Sequence, residues 1–399
     1  MHITFNKSTI ETAAYSIGLS CLFLTYEIHA RAYQFEILGT FGILIILLTS
    51  ALLATKSEDT IRIQPAALAS ALAALLLCYP IIGYVLFSST TSGMESAKPI
   101  IQLVLCFALI FSLHKTGPLK LMLIAVYICA FCSIISVMIY IFNGFLFWGM
   151  FFNRSMSIFF DPNYASAIIG FGVISAINLK RKRRIVLAIC LTGCFLAFSK
   201  ATAIAIIISA TFYFYCSSPK SRLPIISFGT LSIFVFLLAW DDIFKFLSQN
   251  IPALRLEMGM NLRDFYWKLG SDAVIQSPLS LRTSSDVVNL ISSYGTNTSL
   301  HNTYIETAFL YSLPTSFLLI LAIALSILGY VLSKKYSLAA ATLYLAVSAN
   351  NFTFMLGSPN ALSFFFTLLI FGGFAQLFQK ERCSTNRLHQ PTQPGSAQL

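Results

Sequence analysis

Charge is what this sequence has least of. Only 10% of its 399 residues are Asp, Glu, Lys or Arg, against roughly 25% in a soluble globular domain, so a water-soluble fold with a charged rind is excluded. Signature motifs are missing too. There is no Walker A sequence, no H-E-x-x-H, no G-x-G-x-x-G fingerprint and no G-x-S-x-G elbow, which removes the familiar NTPase, zincin, Rossmann and serine-hydrolase readings. No D-x-D pair and no Cys/His cluster suggests a dedicated metal site. The N-terminus lacks a basic region followed by a small-residue cleavage site, so its first apolar stretch is expected to stay as a helix. No repeat of the transporter or solenoid kind is visible.

What fills the chain instead is apolar: 57% of residues are hydrophobic. Charge-free runs recur at the roughly 20 residues a helix needs to cross about 30 Å of hydrocarbon. The clearest are 121–153, 223–240, 307–333 and 336–379, the last being long enough for two helices turning at Gly357-Ser358-Pro359-Asn360. Further spans are expected near 10–28, 34–55, 65–88, 97–113, 162–179, 185–199 and 201–216. A β-barrel would show weak alternating segments of about ten residues. The expectation is therefore an all-α polytopic membrane protein of about 12 transmembrane helices. One large outer loop, 241–302, precedes the third-last helix of a single membrane domain, 1–379, and a polar, disordered cytoplasmic tail follows at 380–399.

The formal charge of +11 invites a nucleic-acid reading, but topology accounts for most of it. With both termini in the cytoplasm, seventeen of the 26 Lys and Arg fall on that side, including the run Lys180 to Arg184. The short outer loops then hold four, Arg31, Lys98, Arg154 and Lys200. By the positive-inside rule this puts 241–302 outside. The basic run reads as a topology anchor, with an anionic-lipid site as the alternative. All nine Cys lie in expected spans or in the tail. No disulfide is therefore expected in the outer loop, and the Cys129/Cys132 pair reads as small packing residues.

The outer loop concentrates the polar chemistry. Leu254, Met258, Leu262, Phe265 and Leu269 follow a helical spacing that suggests two short surface helices within 251–277. Pro278 ends the pattern, and 280–298 reads as loop from its Ser, Thr and Asn content. Thr303 and Glu306 have capping-box spacing, which gives Glu306 a structural alternative to a catalytic one. His301 stands just before that helix start, where the positive end of the macrodipole keeps an imidazole neutral, as a general base must be. A plain loop histidine is the alternative. Lys200 follows a span of only about 22 Å, so it is expected to lie recessed in the membrane, where an ionisable group implies a partner unless it snorkels to the interface. Arg263 and Arg282 in the outer loop, and Arg154 beside Asp161-Pro162-Asn163 in another, suit phosphate binding if they converge and ordinary solvated charge if they do not.

The segment His301-Asn302-Thr303-Tyr304-Ile305-Glu306 resembles the His motif that closes the large periplasmic loop of the bacterial O-antigen ligase and O-antigen polymerase family. Asn261-Leu262-Arg263 with Trp267, and Ser277-Pro278-Leu279-Ser280-Leu281-Arg282, are similar to that family's Arg, aromatic and Pro pattern. Phe198-Ser199-Lys200-Ala201 resembles its Ser-Arg segment, with Lys for Arg, and Asp161-Pro162-Asn163 its D/N-P-N loop. Where the family usually carries a Gly after the His motif, this chain has Ser312-Leu313-Pro314.

This resemblance implies a metal-independent glycosyltransferase without a cofactor, sited in the bacterial inner membrane and working on the periplasmic face. Its donor would be an undecaprenyl-pyrophosphate-linked glycan. The acceptor would be lipid A core for a ligase, or a second lipid-linked glycan for a polymerase; membrane lipid surrounds the site and nucleic acid has no part. His301 would act as base and Arg263, Arg282 and Lys200 would bind the donor pyrophosphate. Asn302, Glu306, Arg154, Asp161 and Asn163 would support them. A flippase for lipid-linked sugars is the alternative of another class. It would place ionisable groups along its helices and needs no long outer loop.

Overall fold

The computed structural model describes residues 7–29, 36–55, 118–142, 150–151, 154–155, 157, 162–179, 182–197, 199–220, 222–225, 227, 263–282, 284–292, 300–350 and 360–379. The expected spans 65–88 and 97–113, most of 223–240, Asp161, the first part of the outer loop and the tail lie outside these residues. What is described is mostly helical. The helices are α1 (Lys7–His29), α2 (Glu36–Thr55), α3 (Pro118–Ile141), α4 (Pro162–Ser175), α5 (Arg183–Ala197), α6 (Lys200–Ser217), α7 (Arg263–Gln276), α8 (Ser284–Ser292), α9 (Thr303–Tyr311), α10 (Leu313–Leu332), α11 (Tyr336–Ser348) and α12 (Ala361–Gln379). Among them α3, α6 and α10 are long and apolar enough to cross a membrane, and shorter apolar stretches occupy α1, α11 and α12.

Three expectations are corrected. The run 121–153 does not continue as helix: α3 ends at Ile141, and Met150–Phe151 pairs antiparallel with Arg154–Ser155 in a two-residue hairpin. The run 307–333 is two helices, because Ser312 takes φ 84° and ψ 154°, a region that L-residues avoid, and Pro314 opens α10. Residues 284–292, expected as loop, form α8, since Val287 and Ile291 stand one turn apart and both are buried.

Small residues let the helices approach. A Cβ on Gly18 would fall 2.8 Å from the Gly42 carbonyl, so α1 and α2 touch backbone to backbone. In α10, Ser326 donates to the Ile370 carbonyl of α12. Cys129 and Cys132 are buried in α3 as packing residues, with Cys129 donating to the Ile168 carbonyl at 3.3 Å.

Side-chain register fixes which helix ends lie together. The Cβ direction of Gly172 meets Cys129 and Cys190, and that of Gly193 meets Ser133, so α3 and α5 run parallel, with α4 antiparallel between them. Lys182, Arg183 and Arg184 thus stand level with Lys120, which pairs with Glu11 of α1 at 2.5 Å. The α5–α6 hairpin returns the chain to the same end, at Lys220 and Arg222. Lys335, in the α10–α11 turn, donates to Gln376 Oε1 at 2.8 Å, and the Cβ direction of Gly372 meets Pro118, which closes the set. One end of the bundle therefore gathers most of the described basic residues. Asn163, Lys200 and the α9 region stand at the other.

Candidate functional site

At that second end α7, α8 and α9 build a small core of their own from Tyr266, Val274, Val287, Ile291, Leu300, Ala308, Phe309 and Leu310. The buried face of α7 runs through Tyr266, Gly270 and Val274, while Phe265 is exposed, so the expected Phe265 stripe is rotated by one residue. Gly270 is where α7 meets the loop: a Cβ there would lie 2.9 Å from both Ile305 Cγ2 and Leu300 Cδ1. The close approach brings Arg263, the first residue of α7, near His301.

His301 has φ 54°, left-handed backbone that a β-carbon penalises. The next residue sets the helix. Asn302, not Thr303, is the N-cap, its Oδ1 accepting from the Tyr304 and Ile305 amides at 3.0 and 3.1 Å. The capping box expected from Thr303 and Glu306 is therefore corrected. Glu306 instead reaches back across the His301 turn, Oε2 accepting from the Leu300 amide at 3.0 Å, and is itself buried. Asn302 and Glu306 thus hold the turn that presents His301.

The turn is anchored to the bundle as well. Thr303 N–H donates to the Ala349 carbonyl at 2.8 Å, the Tyr304 hydroxyl to Ala346 at 2.7 Å, and the Ser316 hydroxyl to the Tyr304 carbonyl at 2.9 Å. Tyr304 is the residue that sequence reasoning overlooked. Its only signal was an aromatic at a helix start, which fits an apolar run equally well.

Burial, and secondly the Arg263 charge, push the His301 imidazole down from 6.5 to about 4. The ring is neutral at pH 7, as expected. The cause is desolvation and a neighbouring cation in place of the helix dipole invoked from sequence.

Lys200 is the first residue of α6 and is half-buried. Its depth follows from its neighbours. A Cβ on Gly170 would meet Thr202 and the Tyr344 hydroxyl, so Gly170 of α4, Thr202 of α6 and Tyr344 of α11 share one level. Counting about 1.5 Å per residue from that level, Lys200 begins ~3 Å outward, Ala349 ~7 Å and Pro162 ~12 Å. Lys200 is therefore recessed about a helical turn below His301's anchor. Thr202 is buried just beneath it, and Ser348, one turn outward of Tyr344, is buried at the same end. The N-termini of α4 and α6 point outward here. Those of α7 and α9 lie near His301, so four positive helix ends, Lys200 and Arg263 share this end of the bundle.

Arg282 is elsewhere. Its guanidinium donates to the carbonyls of Ala273 at 3.0 Å and Phe309 at 3.3 Å, and lies 4.5 Å from the Phe309 ring centroid. Both carbonyls belong to last turns, so Arg282 caps the C-termini of α7 and α9 together. It stands at the far end of α9 from His301, about 12 Å by helical rise. Arg154 falls in the two-residue hairpin, Asn163 at the outward end of α4, half-buried, and Asp161 outside the described residues. No group of three or more His, Cys, Asp or Glu gathers among the described residues.

The arrangement offers a neutral imidazole, held in place by bonds from both sides, with Arg263 beside it and with Lys200 and several helix N-termini at the same end of the bundle. Chemically it suits removal of a proton next to a developing polyanion. Neither a known family model nor a curated protein matches the chain.

Proposed function

We propose that the chain is a membrane glycosyltransferase that moves a glycan from an undecaprenyl-pyrophosphate carrier to a sugar hydroxyl, lipid A core being the leading acceptor and a second lipid-linked repeat the other. In this reading it crosses the bacterial inner membrane about twelve times. Both termini and the basic end are cytoplasmic, and the His301 end faces the periplasm. The observation that carries the reading is His301: half-buried, neutral, in strained backbone, beside Arg263 at the end of the bundle opposite the topogenic cations.

His301 takes the proton of the acceptor hydroxyl as its oxygen attacks the anomeric carbon. The bond from that carbon to the pyrophosphate oxygen breaks, and the pyrophosphate leaves with its electron pair. Arg263, Lys200 and the helix N-termini meet the charge that develops on it. An imidazole titrating near 4 is a weak base for neutral pH. The donor's pyrophosphate works against this: it offsets the Arg263 charge and, as an anion beside the ring, raises the ring's affinity for a proton. Such base catalysis is worth about 10²- to 10⁴-fold.

The test is transfer in proteoliposomes with a lipid-linked donor and core acceptor. His301→Ala is expected to lose transfer by about that factor while keeping donor binding. Full activity in His301→Ala would end the reading. In a deletion strain, a ligase leaves long chains stranded on carrier lipid and bare core, whereas a polymerase leaves core carrying a single repeat.

A further inference from the structure

We propose that the cleft between residues 177–179 and the start of α5 is a binding site for the phosphodiester headgroup of an anionic phospholipid, gripped by Lys182, Arg183 and Arg184. An open cleft of about 710 Å³ lies there, walled by these three side chains, Asn178, and the apolar Ile177 and Ile185. All three cations are exposed, and no carboxylate among the described residues pairs with any of them. Their position is electrostatically poor. Lys182 takes φ 57° and its carbonyl accepts the Val186 amide at 3.0 Å, which starts α5 at Arg183. Three positive side chains thus surround the positive end of a helix dipole, the reverse of the usual preference. An anion relieves that repulsion.

The cleft's other wall decides which anion. Ile185 is 63% exposed beside the cations, a combination that wastes apolar surface on a soluble phosphate and suits a headgroup with acyl chains attached. The cleft is level with Lys120, at the basic end of the bundle. Charge bias across the membrane explains why cations stand on this side. It does not explain why they line a cleft with no carboxylate partner among the described residues. The inference rests on the bundle crossing a membrane and is independent of the transfer reaction.

The full chain in neutral detergent is examined by native mass spectrometry with phosphatidylglycerol or phosphatidylcholine of equal chains. Wild type is expected to retain one phosphatidylglycerol in preference. Arg183→Gln with Arg184→Gln lowers that retention about 25-fold, from roughly fivefold per cation. Ile177→Glu, which keeps every topogenic cation but puts a carboxylate in the cleft, also lowers it and guards against misinsertion of the first variant. Equal retention of phosphatidylcholine, unchanged retention in Ile177→Glu, or full displacement by millimolar inorganic phosphate would each overturn the lipid site.

Discussion

Arg282→Ala separates a structural arginine from a pyrophosphate ligand. The side chain donates two hydrogen bonds to backbone carbonyls, one at 3.0 Å and a longer one at 3.3 Å, and covers the Phe309 ring at 4.5 Å. A charged donor to a carbonyl contributes about 1.5 to 3 kcal/mol, and a partly exposed cation–π contact about 0.5 to 1 kcal/mol. The second bond is long and the groups are coupled, so the three do not add in full. About 2 to 3 kcal/mol is a fair expectation, and it falls on the α7–α9 core because both carbonyls are there. Amide hydrogen exchange in α7 and α9 should accelerate roughly 30- to 150-fold, each 1.36 kcal/mol being a factor of ten, while the core of α10 and α12 keeps its protection. Arg282→Lys, lacking the planar fork, recovers only part. Unchanged exchange together with abolished transfer would refute the capping role and return Arg282 to the donor site.

Acid should loosen the same region. The folded His301 ring stays neutral down to about 4, whereas in the unfolded chain it takes a proton near 6.5. The unfolded state binds more protons between those values, so stability falls as pH drops through that window, by at most about 3 kcal/mol. The His301→Asn variant should show a flatter melting-temperature profile over it; parallel profiles would contradict the assignment. Ser312→Gly should stabilise by about 1 kcal/mol in a denaturation series, because Ser312 now holds backbone that only glycine takes freely; a loss would contradict backbone strain at Ser312. Glu306→Gln keeps an acceptor for the Leu300 amide and should retain most transfer, whereas Glu306→Ala leaves that amide unpaired at a cost of about 1 to 3 kcal/mol. Inactive but well-folded Glu306→Gln would make Glu306 catalytic.

The apolar helices were legible because a span's length is dictated by hydrocarbon, and α5 and α6 begin and end within two residues of expectation. The break at Ser312 was not. A proline is welcome in the first turn of a new helix, so Leu313-Pro314 inside an unbroken apolar run carries no clear stop signal. Helix α8 hid behind Ser and Asn, and only the burial of Val287 and Ile291 against α7 and α9 reveals why it forms. The shift of the cap from Thr303 to Asn302 shows the limit of spacing rules, since both residue types cap well and the choice depends on where the His301 turn must point. Arg282 is the sharpest case. A guanidinium fits phosphate and helix carbonyls alike, and nothing in the neighbouring residues says which it meets.

The bond from Thr303 N–H to the Ala349 carbonyl carries a consequence for divergence. It indexes the His301 turn to α11, while α7 and α8 meet α9 through an apolar core and through Arg282. On the proposed function, the base and the α7–α8 pair thus rest on different parts of the fold. Exchanging residues 264–292, which leaves Arg263 in place, between chains of this architecture should leave the His301 turn bonded to α11 and in register.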